Sequence, residues 1–222
     1  MKKEEIFAVM RCCGVVPVIA IDDPASALPL ADALIDGGLP IAEITFRTAA
    51  AAEVIATIAA KRTGITLGAG TLLSVENVRK AKEAGACFGV APGLNPTVVG
   101  EAGRLGLPFI PGVITPSEIE QALDLGACCL KFFPAEAFGG VRTIKAFSAP
   151  YVHTGVHFMP TGGVTMANLG EYLTTDIVAC VGGTWIAPRE TIAAGNWEQI
   201  RANCRAALEI VRKARGTGGD DR

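Results

Sequence analysis

Gly85-Ala-Cys-Phe88, Gly106-Leu-Pro-Phe109 and Gly126-Ala-Cys-Cys129 share one form, a glycine followed by a short apolar run. Gly38-Leu-Pro-Ile41 and Gly64-Ile-Thr-Leu67 extend the series upstream. The five glycines step by 26, 21, 21 and 20 residues. Each closes a helix-like segment, at the position where a left-handed residue ends a helix and turns the chain into the next element. The repeat therefore reads as helix, glycine, strand.

Working outward, eight apolar runs stand out: Val15–Ala20, Ile41–Phe46, Ile65–Gly68, Cys87–Ala91, Pro108–Ile110, Cys128–Phe132, His157–Pro160 and Ile177–Val181. They are almost continuously hydrophobic, as strands buried on both faces of a parallel sheet must be. Amphipathic stretches lie between them. Ser74 is placed as an N-cap with Asn77 three residues on, and Ser117 with Glu120 has the spacing of a capping box. Eight strand–helix units of about 25 residues need about 200 residues, which points to a compact (βα)8 TIM barrel. A doubly wound open sheet is the alternative. An extra N-terminal helix is expected over Lys3 to Arg11. Residues 1–215 read as one α/β domain, with 216–222 as a disordered tail.

Composition limits the function classes. The chain has 222 residues, half of them apolar, and a net charge of −2. No basic excess is available for a nucleic-acid backbone. Mean hydropathy is +0.39, yet no apolar run approaches the 18 or so residues of a membrane span. The apolar stretch Ala49 to Ala60 carries Glu53 and reads as a half-buried helix. No signal-peptide pattern follows Met1, so a cytoplasmic protein is expected. The seven cysteines include two vicinal pairs and no C-x-x-C, so reduced structural thiols are expected.

In such a fold chemistry sits at the C-terminal ends of the strands. Of eight lysines, Lys131 alone stands inside a strand-like apolar run. Burial disfavours an ammonium, and a neutral amine attacks carbonyl carbon to give a Schiff base. A lysine with a buried stem and a head reaching water fits the same pattern. Glu43, Thr45 and Arg47 alternate onto one face of the second strand. There Arg47 suits a carboxylate and Glu43 suits proton transfer, although a structural Glu–Arg pair would look identical. Pro160-Thr161-Gly162-Gly163 and Val181-Gly182-Gly183-Thr184 end the seventh and eighth strands, where these barrels bind phosphate through backbone amides. Thr161 and Thr184 add hydroxyls. Gly68-Ala-Gly-Thr71 reads as a close-approach turn with Thr71 facing the cavity, and Pro92 as a rigid wall. His153 and His157 have no acidic partner nearby, and no metal site is expected.

Six segments in order, Glu43-Ile-Thr-Phe-Arg-Thr48, Gly68-Ala-Gly-Thr71, Ala91-Pro-Gly93, Lys131-Phe-Phe-Pro-Ala-Glu136, Pro160-Thr-Gly-Gly163 and Gly182-Gly-Thr-Trp185, resemble the class I 2-keto-3-deoxy-6-phosphogluconate (KDPG) aldolase family with its 4-hydroxy-2-oxoglutarate (KHG) aldolase members. The resemblance spans about residues 5 to 210. It implies a homotrimeric barrel that uses no metal and no cofactor. It implies that Lys131 forms the Schiff base and that Glu43 is the general acid and base. Arg47 and Thr71 would hold the pyruvate carboxylate, Pro92 and Phe133 would wall the site, and Gly162, Gly163, Gly183 and Thr184 would bind phosphate. Thr184 stands where the family often has Ser, and Ala91 where Ser or Thr is common. The epimeric phosphogalactonate substrate, a phosphosugar epimerase or isomerase, and a non-catalytic metabolite binder are the competing readings.

Overall fold

The computed structural model describes residues 3–216. Of the tail 216–222, expected to be disordered, Gly216 is described, with φ +69°, and 217–222 lie outside the described residues. The chain opens with helix α1 (Lys3–Cys13), as expected, followed by β1 (Val15–Ile19), α2 (Ala27–Asp36), β2 (Ile41–Thr45), α3 (Ala51–Lys61), β3 (Thr66–Gly70), α4 (Val75–Glu83), β4 (Phe88–Val90) and α5 (Pro96–Arg104). It continues through β5 (Phe109–Ile110), β6 (Gly112–Val113), α6 (Pro116–Asp124), β7 (Cys129–Phe132), α7 (Gly140–Tyr151), β8 (His157–Pro160), α8 (Leu169–Leu173), β9 (Val181–Gly183), α9 (Arg189–Ala193) and α10 (Trp197–Arg215).

The result is an α/β fold on a curled parallel sheet. Six strands run in the order β5-β4-β3-β2-β1-β9, and β6-β7-β8 form a second parallel group. Nearly every strand residue is buried. That burial explains the unbroken apolar runs, because helices cover the face that an antiparallel sheet would leave to water.

Two strand expectations shift. The fifth run, expected over Pro108–Ile110, forms β5, and the chain adds β6 beyond Pro111, which has no N–H for the ladder. Its carbonyl still accepts from the Lys131 N–H at 2.8 Å. The eighth run forms a strand only from Val181, because the Val178 N–H is committed to Thr175 O at 2.8 Å in a turn. Isolated parallel bridges join Phe158 to Val178 and Thr161 to Gly182.

The helix boundaries follow local chemistry. The Ser74 hydroxyl accepts from the Asn77 N–H, capping α4. The capping box of α6 is made by Thr115 and Glu118, not by Ser117 and Glu120. Pro116 at the first helical position starts the helix one residue after Thr115, which puts Ser117 inside it.

Candidate active site

Glu43 and Lys131 meet near the C-terminal ends of β2 and β7. Lys131 Nζ lies 3.4 Å from Glu43 Oε1, and the side chains are 6% and 0% exposed. A charge taken this far from water is costly unless a partner compensates it. Here the partner is a single carboxylate oxygen. The other, Oε2, is buried without a hydrogen-bond partner among the described residues. The Phe133 ring centroid is 5.4 Å from Lys131 Nζ, within range of a cation–π contact.

Gly70 makes this arrangement possible. A Cβ there would overlap Glu43 Oε1, so only glycine at the end of β3 leaves room for the carboxylate. The sequence shows the Gly68-Ala-Gly70 spacing but gives no hint of what it accommodates. Thr71 follows with φ +59°. A β-branched residue in the left-handed region is strained, and such strain concentrates at functional sites.

Arg47 does not share the buried strand face of Glu43 and Thr45 expected for it. The strand ends at Thr45, alternation ceases there, and Arg47 is exposed. Its Nε donates to Thr45 Oγ1 at 3.1 Å, and the buried Thr45 hydroxyl donates to Ile19 O at 2.8 Å. A structural Glu43–Arg47 pair is absent among the described residues, since the ion pair of Glu43 is with Lys131. Arg47 instead lines a groove of about 440 Å³ that also contains Val18, Thr184, Trp185 and Pro188. Arg47 and Thr184, from opposite ends of the chain, thus face one opening.

The two glycine pairs are neighbours. The Thr161–Gly182 bridge ties the turn after β8 to β9. Thr161 is buried, whereas Gly162 is half-buried, Gly163 and Thr184 are exposed, and Gly182 and Gly183 are buried. Gly162 and Gly163 have φ +92° and +83°. The half-buried Phe133 and Pro134 flank Gly162. Pro92 is half-buried just beyond β4. The sequence also passed over Tyr172 and gave Glu136 no role, although the Glu136 stem packs against Gly163 and Tyr172 hydrogen-bonds to Glu136.

Away from this end, His157 begins β8, and its Nε2 is 3.2 Å from an Arg11 guanidinium nitrogen. Desolvation, aided by Arg11, holds its pKa below the usual histidine value. Among the described residues no cluster of three or more His, Cys, Asp or Glu could hold a metal, and no helix is long and apolar enough to cross a membrane. All seven cysteines are free thiols.

With this geometry established, comparison with known proteins is direct. The family model for KDPG and KHG aldolase matches residues 6–203. A 2-dehydro-3-deoxy-phosphogluconate aldolase of Treponema pallidum is 45% identical over 206 residues, 93% of this chain and 97% of the relative. The KHG/KDPG aldolase of Escherichia coli K12 is 40% identical over 207 residues, 93% of this chain and 96% of the relative. A crystal structure of KDPG aldolase from Legionella pneumophila, with pyruvate captured as a covalent carbinolamine, superposes with TM-score 0.86 at 39% identity, covering 90% and 97% of the two chains. The chain belongs to the KDPG and KHG aldolase family.

Proposed function

We infer that this protein is a class I aldolase, a carbon–carbon lyase that reversibly cleaves 2-keto-3-deoxy-6-phosphogluconate to pyruvate and glyceraldehyde 3-phosphate. It also acts on 4-hydroxy-2-oxoglutarate, giving pyruvate and glyoxylate. The observation that carries this is the buried Lys131–Glu43 pair, a nucleophile and a proton carrier at the same strand ends.

The Lys131 amine adds to the C2 carbonyl, and the carbinolamine loses water to leave a protonated imine. Glu43 takes the C4 hydroxyl proton as the C3–C4 bond breaks. The bonding electrons pass into the imine, giving an enamine, and the aldehyde departs. Glu43 returns a proton to C3, and hydrolysis frees pyruvate and the lysine. The imine is the electron sink, so no free carbanion forms.

Arg47 and Thr71 bind the keto-acid carboxylate, Pro92 and Phe133 wall the reacting carbons, and Thr161, Gly162, Gly163, Gly182, Gly183 and Thr184 receive the phosphate. The extra methyl of Thr184 relative to Ser leaves its hydroxyl available to phosphate. The gluconate substrate is preferred to its C4 epimer, which a comparison of kcat/KM on the two tests.

The architecture that goes with this function is a closed (βα)8 barrel made by one domain, residues 1–215, working as a cytoplasmic homotrimer. Closure is supported by the carbonyl of Pro111, which spans the β5–β6 break, and by the bridges from Phe158 and Thr161 toward β9. The deciding experiment is borohydride reduction with pyruvate, followed by intact mass and peptide mapping. One pyruvate-derived adduct on Lys131 is expected, and Lys131→Ala should lose both adduct and turnover. An unlabelled folded protein, or an active Lys131→Ala enzyme, overturns the assignment.

A further inference from the structure

Tyr172 and Glu136 have no part in the chemistry above, yet Glu136 backs the turn assigned to phosphate and Tyr172 holds Glu136. Tyr172, on α8, is fully buried, and its hydroxyl donates to Glu136 Oε1. Glu136 opens the short helical turn Glu136–Phe138 after β7. Its N–H donates to Gly162 O at 3.0 Å, and the Ala135 N–H donates to Thr161 O at 2.8 Å. A Cβ on Gly163 would lie 2.5 Å from Cβ and Cγ of Glu136, so the bare backbone of Gly163 rests on that side chain. A Cβ on Gly140 would lie 2.8 Å from Glu136 Oε1 and 2.9 Å from the Tyr172 hydroxyl, so the carboxyl oxygen is turned toward the start of α7. The apolar stem of Glu136 faces the turn, and its charge is drawn to the far side.

An exposed glutamate samples many rotamers, whereas one anchored by a buried phenol is held in a single geometry. Burial and the neighbouring carboxylate raise the Tyr172 pKa well above its usual value, so it remains a donor across the neutral range. The turn depends on such support because backbone amides stabilise an anion only when aimed at it.

We propose that the Tyr172–Glu136 hydrogen bond is a positioning device that aims the Gly162-Gly163 backbone at the substrate phosphate and so sets the preference for phosphorylated over unphosphorylated aldehydes. This rests on the aldolase function proposed above. It adds two positioning residues that touch no substrate atom.

The test condenses pyruvate with D-glyceraldehyde 3-phosphate and, separately, with D-glyceraldehyde, using wild type, Tyr172→Phe, Glu136→Ala and Glu136→Gln. Tyr172→Phe should raise KM for the phosphorylated aldehyde about fivefold to tenfold, the worth of one hydrogen bond, with kcat held within about twofold. Glu136→Ala should reproduce this, and Glu136→Gln, which still accepts from Tyr172, should restore wild-type KM. KM for D-glyceraldehyde should not move. Equal changes on both aldehydes, a fall in kcat at constant KM, or no change in either Tyr172→Phe or Glu136→Ala overturns the proposal. If Tyr172→Phe fails to fold, Glu136→Ala, at an exposed position, decides alone. Borohydride trapping of pyruvate separates the two levels. Wild type without an adduct overturns the aldolase function, whereas an adduct with no KM split overturns only the positioning role.

Discussion

Glu43 keeps one carboxylate oxygen 3.4 Å from Lys131 Nζ and the other without a hydrogen-bond partner among the described residues. In the proposed cleavage Glu43 takes the substrate hydroxyl proton. Glu43→Gln preserves shape but cannot take a proton, so turnover should fall about 100-fold to 10,000-fold, the usual worth of a general base. Lysine labelling by pyruvate and borohydride should persist at a lower rate. A variant that keeps a tenth of wild-type turnover would remove Glu43 from the proton-transfer role. Gly70→Ala tests the same carboxylate from the other side. Its methyl group would overlap the carboxylate, and a displacement of this size should lower turnover by about 100-fold. Unchanged steady-state kinetics would show that Glu43 can relocate freely. Lys131 was legible because an ammonium is conspicuous in an apolar strand. Its pairing with Glu43, 88 positions away, was not. Nor was the shape requirement at Gly70, since both arise only when β2, β3 and β7 end together.

Strands were legible as elements because burial on both faces leaves continuous apolar runs. Their exact ends were not, because the ladder competes with turns for each N–H. Pro111 and Val178 lose that competition for different reasons, one lacking the donor and one having given it to Thr175. The start of α6 shows the same limit at a helix. Thr115-Pro-Ser-Glu118 and Ser117-Glu-Ile-Glu120 both fit the capping spacing, and the proline decides between them. The Glu118 carboxylate accepts from the Thr115 N–H at 2.9 Å, and the Thr115 hydroxyl accepts from the Glu118 N–H at 3.3 Å. Thr115→Ala should therefore cost about 1 kcal/mol, lowering Tm by about 2–4 °C for a chain of this size. Thr115→Ser should restore it, and Ser117→Ala should leave Tm unchanged. Loss of stability in Ser117→Ala but not Thr115→Ala, read by calorimetry, would contradict this helix start.

For the molecule as a whole, two properties depend on how completely the core is sealed. The first is thiol chemistry. Burial pushes the pKa of Cys13 up to about 11, that of Cys129 and Cys204 to about 12, and that of Cys180 well above its usual value. These groups are neutral and inaccessible at pH 8, whereas Cys12 is exposed. Alkylation of native protein at pH 8, mapped by mass spectrometry, should reach Cys12 first and spare those four until unfolding. Fast modification of Cys129 or Cys180 would mean that the core opens readily. The second property is the seam. An open parallel sheet would leave β8 and β9 with unpaired edge groups, an arrangement that invites association with other chains. Here the Phe158 N–H donates to Ile177 O at 2.8 Å, the Ala179 N–H to Phe158 O at 2.9 Å, and the Val181 N–H to Gly14 O at 2.9 Å. The first two bonds link β8 to the run that leads into β9, and the third joins β9 to β1 within the six-stranded sheet. If the sheet closes, the three amides open only with the whole domain, and their hydrogen exchange should be as slow as that of β2 and β3. Exchange much faster than in β2 and β3 would instead mark a seam that opens independently, and the proposed barrel would give way to a curled sheet with two free edges.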